Sequence, residues 1–335
     1  MPTPSVAGTP GFFAHGSAGG QPYTVLSSDW GNAVQMEICN VITASGQTLS
    51  KTTQNQLLTA IQSLGRIKLT TTLNMYVAAN GDDTNNGLTL TTPLKTLQQA
   101  IWIIYGKYDL AAQTVIVNVG NGTYTAGASH SLPLNGFIKF IGNPINPSLC
   151  KIQLTAGGNC FAAGNSAYLW INGFALEAQH GTAANPIWST ADIGLWSGNG
   201  AILLYENIAF GPMTYAHMWT GNGAEISVPS EHTKYSIYGG AVHHMVASNG
   251  SVVSVASTIC TITGVPAFSG AFAYADAAGY IWAPFATYNP PSGPIGAATG
   301  TKYFSFNGSL VNTNGGGPNF FPGSLDGIST TGYYQ

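Results

Sequence analysis

Charge is scarce in this chain. Lys, Arg, Asp and Glu make up 6% of the 335 residues, with 9 basic and 12 acidic side chains. Ordinary soluble domains carry roughly 25%. A chain this poor in Lys and Arg has no basic stripe, so no nucleic-acid partner is expected. Low charge does not mean disorder here, because hydrophobic residues are 44% and aromatics 11%, enough to build a core. Long apolar runs are also missing. The most apolar stretch, 267–286, is broken by Ser269, Asp276 and Pro284, so no membrane span is expected. The first residues carry neither Lys nor Arg nor a compact apolar run, and no signal peptide is read there. Cysteine is limited to Cys39, Cys150, Cys160 and Cys260, with no CxxC pair. That spacing fits no metal site, and buried free thiols are expected. HExxH, P-loop and GxSxG patterns are absent. The acidic turn at Asp82 has Pro93 where a calcium loop requires Glu. No cofactor, metal ligand or catalytic residue is therefore nominated.

What the chain has in quantity is glycine, 43 residues, set among Ser, Thr and Asn. This is the composition of repetitive β architectures. Apolar faces with so little charge are rarely left open on a monomer, and other copies of the same chain are expected to cover them. Four regions follow. Residues 1–27 form an extended arm carrying Phe12, Phe13 and Tyr23, aromatics suited to docking. Residues 28–72 read as a helical hairpin. Asp29 is the expected N-cap of its first helix, Trp30, Val34, Ile38, Val41 and Ile42 share one face, and Gly46 ends it. The second helix is expected from about Thr52 to Leu64, with Leu57, Leu58, Ile61 and Leu64 inward. So short a pair cannot bury both faces alone. Residues 73–287 begin with a strand at Met75–Ala79, then a helix expected to be capped by Thr92, with Pro93 at its first position and Gly106 closing it. Residues 288–335 read as a Gly/Pro linker followed by a small aromatic tip.

Beyond about residue 136 the helical period disappears and a loose repeat takes over. A turn, a small residue and an apolar strand recur from Asn165, Asn199, Asn222, Asn249 and, more weakly, Ala278, at spacings of 34, 23, 27 and 29. Each spacing is about one coil of a solenoid. Asn-Gly suits a tight corner because both residues tolerate positive φ. Regular hairpins of a β-sandwich are the competing reading. The solenoid is preferred, because the turns precede similar strands rather than mirrored pairs, and stacked coils then share one core.

Two segments resemble phage tail proteins. The arm and first helix, residues 11–50, are similar to the N-terminal region of many phage tail fibres. The matching residues are Pro10 to Phe13, Asp29, Trp30, Asn32, Val34, Gln35, Glu37, Asn40, Val41, Ile42, Ala44, Gly46 and Leu49. Residues 76–101, YVAANGDDTNNGLTLTTPLKTLQQAI, resemble the opening of pectate-lyase-like β-helix proteins such as tailspikes, where a helix plugs the open end of the solenoid. The resemblance covers about a quarter of the chain. It implies a mainly β fold, a right-handed parallel β-helix with an N-terminal helical hairpin and a capping helix, assembled as a homotrimer in the virion tail. Phe12, Phe13, Trp30, Val34 and Ile38 are then the expected attachment and trimerisation residues, with other tail or baseplate proteins as partners.

Three functions compete on this reading. The preferred one is a receptor-binding fibre that holds a bacterial surface glycan or protein. The alternatives are a polysaccharide-degrading tailspike, acting as a hydrolase or lyase, and a purely structural tail or baseplate component. Hydrolysis of a glycan needs two suitably spaced carboxylates. The solenoid region offers only Glu177, Asp192, Glu206, Glu225, Glu231 and Asp276, and the repeat alignment does not stack Glu206 on Glu225. Aromatics are plentiful, and flat rings stack on sugar faces. Trp188 and Trp196 lie in the longest repeat spacing, a candidate surface insertion. Phe320, Phe321, Tyr333 and Tyr334 mark the other candidate receptor-binding surface.

Overall fold

In a computed structural model of the chain, residues 25, 27–179, 192–289 and 298–335 are described. The chain divides into two compact units, 1–67 and 68–335.

The first unit holds helices α1 (Ser28–Ala44) and α2 (Gln56–Leu64). Ser27, not Asp29, caps α1. Its hydroxyl accepts from Trp30 N–H at 3.2 Å, and Asp29 sits one turn-position inside, where its charge faces the helix dipole. Gly46 ends the helix at φ +81°. The second helix starts four residues later than its apolar pattern indicates. The buried Gln56 side chain explains the delay, because it ties the connecting loop instead. Its Nε2 donates to Thr48 O at 2.7 Å and its Oε1 accepts from Ser50 N–H at 2.9 Å. Leu58, Ile61 and Leu64 are exposed within this unit, as are Trp30, Val34 and Ile38, while Ala60 is buried. Of the face expected to point inward, Leu57 alone is half-buried, and the other three residues point outward.

The second unit is mainly β, built of long stacks of parallel strands. A first ladder runs through Leu73–Val77, Thr114–Val119, Phe137–Ile141, Tyr168–Ala178, Ile202–Met213, Glu225–Ser227, Val252–Ser254, Tyr280–Trp282, Leu310–Asn312 and Tyr333–Tyr334. A second ladder joins Gly122–Tyr124, Cys150–Leu154, the C-terminal parts of the two longest strands, Lys234–Ile237, Ile259–Ile262 and Thr287–Asn289. A third runs from Ala128–His130 through Asn159–Ala163, Ile193–Gly198, Ala216–Gly221, Ala241–Ala247, Ala267–Ala275 and Thr299–Ser305 to Ile328–Ser329. Between residues 137 and 305 the chain visits the three ladders in the same order on every pass, as in a β-solenoid. The segment read as linker and tip contributes rungs to these same ladders.

Strand alternation explains the core. Leu169, Leu203, Ile226, Val253, Ile281 and Val311 stand on successive rungs and are all fully buried. Each such side chain contributes roughly 1.5–3 kcal/mol by leaving water. Their outward neighbours Ile202, Glu225, Val252, Tyr280 and Leu310 are half-buried. The repeat starts fall in register, since Tyr168 pairs with Ile202, Ile202 with Glu225 and Glu225 with Val252. Asn165, Asn199, Asn222 and Asn249 all have φ between +50° and +55° at the corner before the first ladder. Their side-chain amides form a chain: Asn199 donates to Asn165 at 3.1 Å, Asn222 to Asn199 at 3.0 Å and Asn249 to Asn222 at 3.3 Å.

Helix α3 (Leu97–Lys107) packs Leu97, Ala100, Ile101 and Ile104 into the ladder core. Its cap is Thr96, not Thr92. The Asp83 carboxylate accepts from Lys95 N–H, Thr96 N–H and Thr96 Oγ1, each at 2.9 Å. Leu94 meanwhile pairs through its backbone with Tyr76 and Ala78. Pro93 and Leu94 are therefore held extended, and the helix begins after them. Gly106 lies inside it, one residue before its end.

Candidate functional site

The corner between the second and third ladders varies most in length. The connections after Met213, Ile237 and Ile262 take two, three and four residues. The second holds Gly239 and Gly240 and the third Gly264 and Pro266, residues that turn tightly. Along these short corners runs a groove of about 600 Å³, within the size range of small-molecule sites. Tyr238, Met213, Val265 and Phe268 line it together with Gln179, Ser269, Thr299 and the backbone of Gly239, Gly240 and Gly300. No charged side chain is among these lining residues.

Tyr238 is held from behind. Its hydroxyl donates to Glu177 Oε1 at 2.9 Å. Lys151 Nζ lies 2.7 Å from the same oxygen, and Gln153 Nε2 donates to Oε2 at 2.6 Å. Burial pushes the Glu177 carboxyl up in pKa, but the Lys151, Tyr238 and Gln153 bonds outweigh it and hold it below its ordinary value. Desolvation, with the Glu177 charge beside it, raises the Tyr238 phenol. Gly211 lies between them. A Cβ there would stand 2.6 Å from the Tyr238 ring and 2.7 Å from Glu177 Cγ, so the missing side chain is what lets Tyr238 reach across.

A second outward cluster centres on Glu206. Lys139 Nζ stands 3.2 Å from Glu206 Oε1 and 3.2 Å from the centroid of the Trp170 ring, an ion pair combined with a cation–π contact. Asn172 donates to the same carboxylate at 2.9 Å. Glu206 pairs with Asn172, and Glu225 with Ile202, so the two acids stand at different positions along the ladder. Asp192 is fully buried, and its Oδ1 accepts from Gly158 N–H at 3.0 Å. Among the described residues no group of His, Cys, Asp and Glu is placed to hold a metal ion. No helix of the described residues is long and apolar enough to cross a membrane.

The aromatics chosen from the sequence divide among several environments. Trp196 is half-buried on the outer side of the third ladder, stacked on Trp219 at 5.8 Å and 4°. Each indole lies over a glycine two residues on, Gly198 and Gly221. The ring therefore offers mainly an edge, not an open face. Phe321 is 1% exposed and packs on Phe272 and Tyr288, so it presents nothing to a partner. Phe320 is half-buried against Phe321. Tyr334 stacks on Tyr303 at 3.8 Å and donates to Gly317 O at 2.6 Å. Tyr333 is the open one, at 65% exposure. Trp188, Phe12 and Phe13 lie outside the described residues. Sequence reasoning counts Tyr238 among the plentiful aromatics of the solenoid region but does not single it out as a site residue. The signal available for it was its place in Tyr-Gly-Gly, a ring directly before a corner that has no side chains.

No protein-family profile matches the chain, and no curated protein and no solved structure does either.

Proposed function

We propose that this chain is a subunit of a phage tail fibre or tailspike that binds a glycan on the bacterial surface. On this reading the three ladders are the faces of a closed, right-handed parallel β-helix. Three chains assemble side by side, and the exposed apolar faces of α1 and α2 serve assembly and attachment to the tail. The motifs in residues 11–50 and 76–101 support the placement in the virion. The observation that carries the binding role is the uncharged corner groove with Tyr238 braced by Glu177. A phenol ring fixed at the edge of a groove can stack on a sugar, and the amide, hydroxyl and backbone groups around it can meet sugar hydroxyls. Trivalent presentation would turn a weak site into a strong attachment without new contacts.

A degrading tailspike remains the second reading, because Glu177 and Glu206 are both on the outer side of the solenoid, at 14% and 20% side-chain exposure. Hydrolysis needs one carboxyl kept protonated. Glu177 is tuned the opposite way, toward its ionised form.

The test uses the full chain and a panel of isolated bacterial surface polysaccharides, with binding and reducing-end release read together. Binding without release, weakened about tenfold or more by Tyr238→Ala (the factor that corresponds to about 1.4 kcal/mol), is the expected result. Release of oligosaccharides would replace the adhesive reading with the enzymatic one. No binding to any polysaccharide, together with binding to tail proteins, would leave a structural component.

A further inference from the structure

The chain contains ten Asn-Gly pairs. This dipeptide is chemically labile, because glycine puts no side chain in the way of its own backbone nitrogen. The Gly nitrogen attacks the Asn side-chain carbonyl carbon. A C–N bond forms, ammonia leaves, and a five-membered imide results. Water then opens the imide at either carbonyl and leaves aspartate or isoaspartate. The reaction requires a glycine N–H free to lose its proton and an Asn amide free to swing toward it.

At the solenoid corners both requirements are blocked. Gly200 N–H donates to Asn222 O at 3.0 Å, Gly223 N–H to Asn249 O at 3.1 Å, and Gly250 N–H to Ala277 O at 3.0 Å. The Asn199, Asn222 and Asn249 amides are held by the side-chain ladder. Farther along, Gly308 N–H donates to Thr331 O at 2.8 Å, and Asn307 Nδ2 to Asp276 at 2.7 Å. The corner that makes the dipeptide useful, through its positive φ, also immobilises it.

Asn314 has the same backbone conformation, φ +58°, without the protection. It is exposed and followed by Gly315, Gly316 and Gly317. Its own N–H donates to Asn312 Oδ1 at 2.8 Å, but among the described residues its side-chain amide and the Gly315 N–H have no hydrogen-bond partner. Asn86, whose Gly87 N–H is likewise unbonded, differs in that its Oδ1 accepts from Leu88 N–H at 2.9 Å and Gly87 packs on Leu94. We infer that Asn314 is a site of spontaneous deamidation, and that the stacked Asn-Gly corners are protected by the fold. The product adds one negative charge beside Thr313, in the Gly-rich stretch that precedes Phe320 and Phe321.

The experiment is peptide-mapping mass spectrometry on the full chain, incubated folded and in urea at mildly alkaline pH. In the folded chain Asn314 should convert tenfold or more faster than Asn222, the rate factor that corresponds to about 1.4 kcal/mol of barrier. In urea the two should convert at similar rates. Asn314→Gln should remove the early acidic species seen on ion exchange. Equal rates at Asn314 and Asn222 in the folded chain, or an acidic species that survives Asn314→Gln, would overturn the assignment.

Discussion

Two buried imidazoles face each other in the ladder core, and their hydrogen bonds fix their protons. His217 Nε2 lies 3.0 Å from Gly211 O, so it must carry the hydrogen. Its Nδ1 then accepts from His244 Nδ1 at 2.9 Å. His244 Nε2 is left to accept from the Tyr235 hydroxyl at 3.4 Å. Phe210, Phe268 and Phe272 surround the pair, and among the described residues no charged side chain shifts either imidazole. Adding a proton would set two N–H groups against each other in an apolar interior. Burial accordingly holds His217 down to about 3 and His244 well below its ordinary value. Both are neutral in the fold and take up protons near 6.5 when unfolded. Their contribution to stability is complete above pH 6.5 and declines as pH falls toward the folded value. The slope is about 1.4 kcal/mol per pH unit for each histidine. His130 and His243, each pushed down to about 4 by burial, act in the same direction. The urea midpoint should be flat from pH 8 to about 7 and drop steeply between about 6.5 and 5, where ordinary carboxylates are still ionised. Replacing His217 and His244 together by Leu should make that slope shallower. An unchanged slope would show that the pair is not what titrates.

The element on which the coils depend is the corner, and the asparagine chain makes it measurable. Asn222 both donates to Asn199 and accepts from Asn249. Asn222→Ala loses both bonds and places alanine at φ +55°. Each net hydrogen bond is worth about 1 kcal/mol, and a non-glycine residue without a polar side chain costs about a further 1 kcal/mol in the left-handed region. A loss of about 3 kcal/mol in denaturant unfolding is expected, against about 2 kcal/mol for Asn222→Gly, which removes only the two bonds. These corners were legible in the sequence because the interaction repeats with the coil, so spacing alone exposes it. The capping of α1 and α3 was legible only approximately. The true caps, Ser27 and Thr96, lie near the expected ones, but Asp83 sets the start of α3 and Gln56 that of α2 through bonds that the helical period does not encode. Least legible was the Glu177–Tyr238 contact. It joins residues 61 apart and depends on Gly211 having no side chain, a condition visible only once three coils are stacked. The continuation of the ladders past residue 298 was hidden by its Gly-rich composition, which reads as linker although its short strands keep the same alternation.

At the scale of the ladder-bearing unit, stability should be distributed along the stack. Each coil touches its neighbours, and its buried column residues are shared with the rungs before and after. The ends are where that sharing stops. The two ends of this stack are finished differently. At the first rungs α3 lays Leu97, Ala100, Ile101 and Ile104 into the core, which covers apolar surface that would otherwise be open. At the last rungs the strands shrink to two residues, Ile328–Ser329 and Tyr333–Tyr334, and Ile328 and Tyr333 are exposed. Short terminal strands limit edge pairing with other chains, but they also hold few bonds. Opening should therefore start at the C-terminal rungs. In native-state hydrogen exchange, amides of residues 328–334 should exchange first, those of 202–262 last, and those of 114–119 nearly as slowly as the middle. Ile101→Ala should cost about 2–5 kcal/mol as a buried aliphatic truncation and should shift the early exchange toward residues 114–119. If residues 114–119 already exchange as fast as 328–334 in the unaltered chain, α3 is not acting as a cap, and the asymmetry argued from its packing fails.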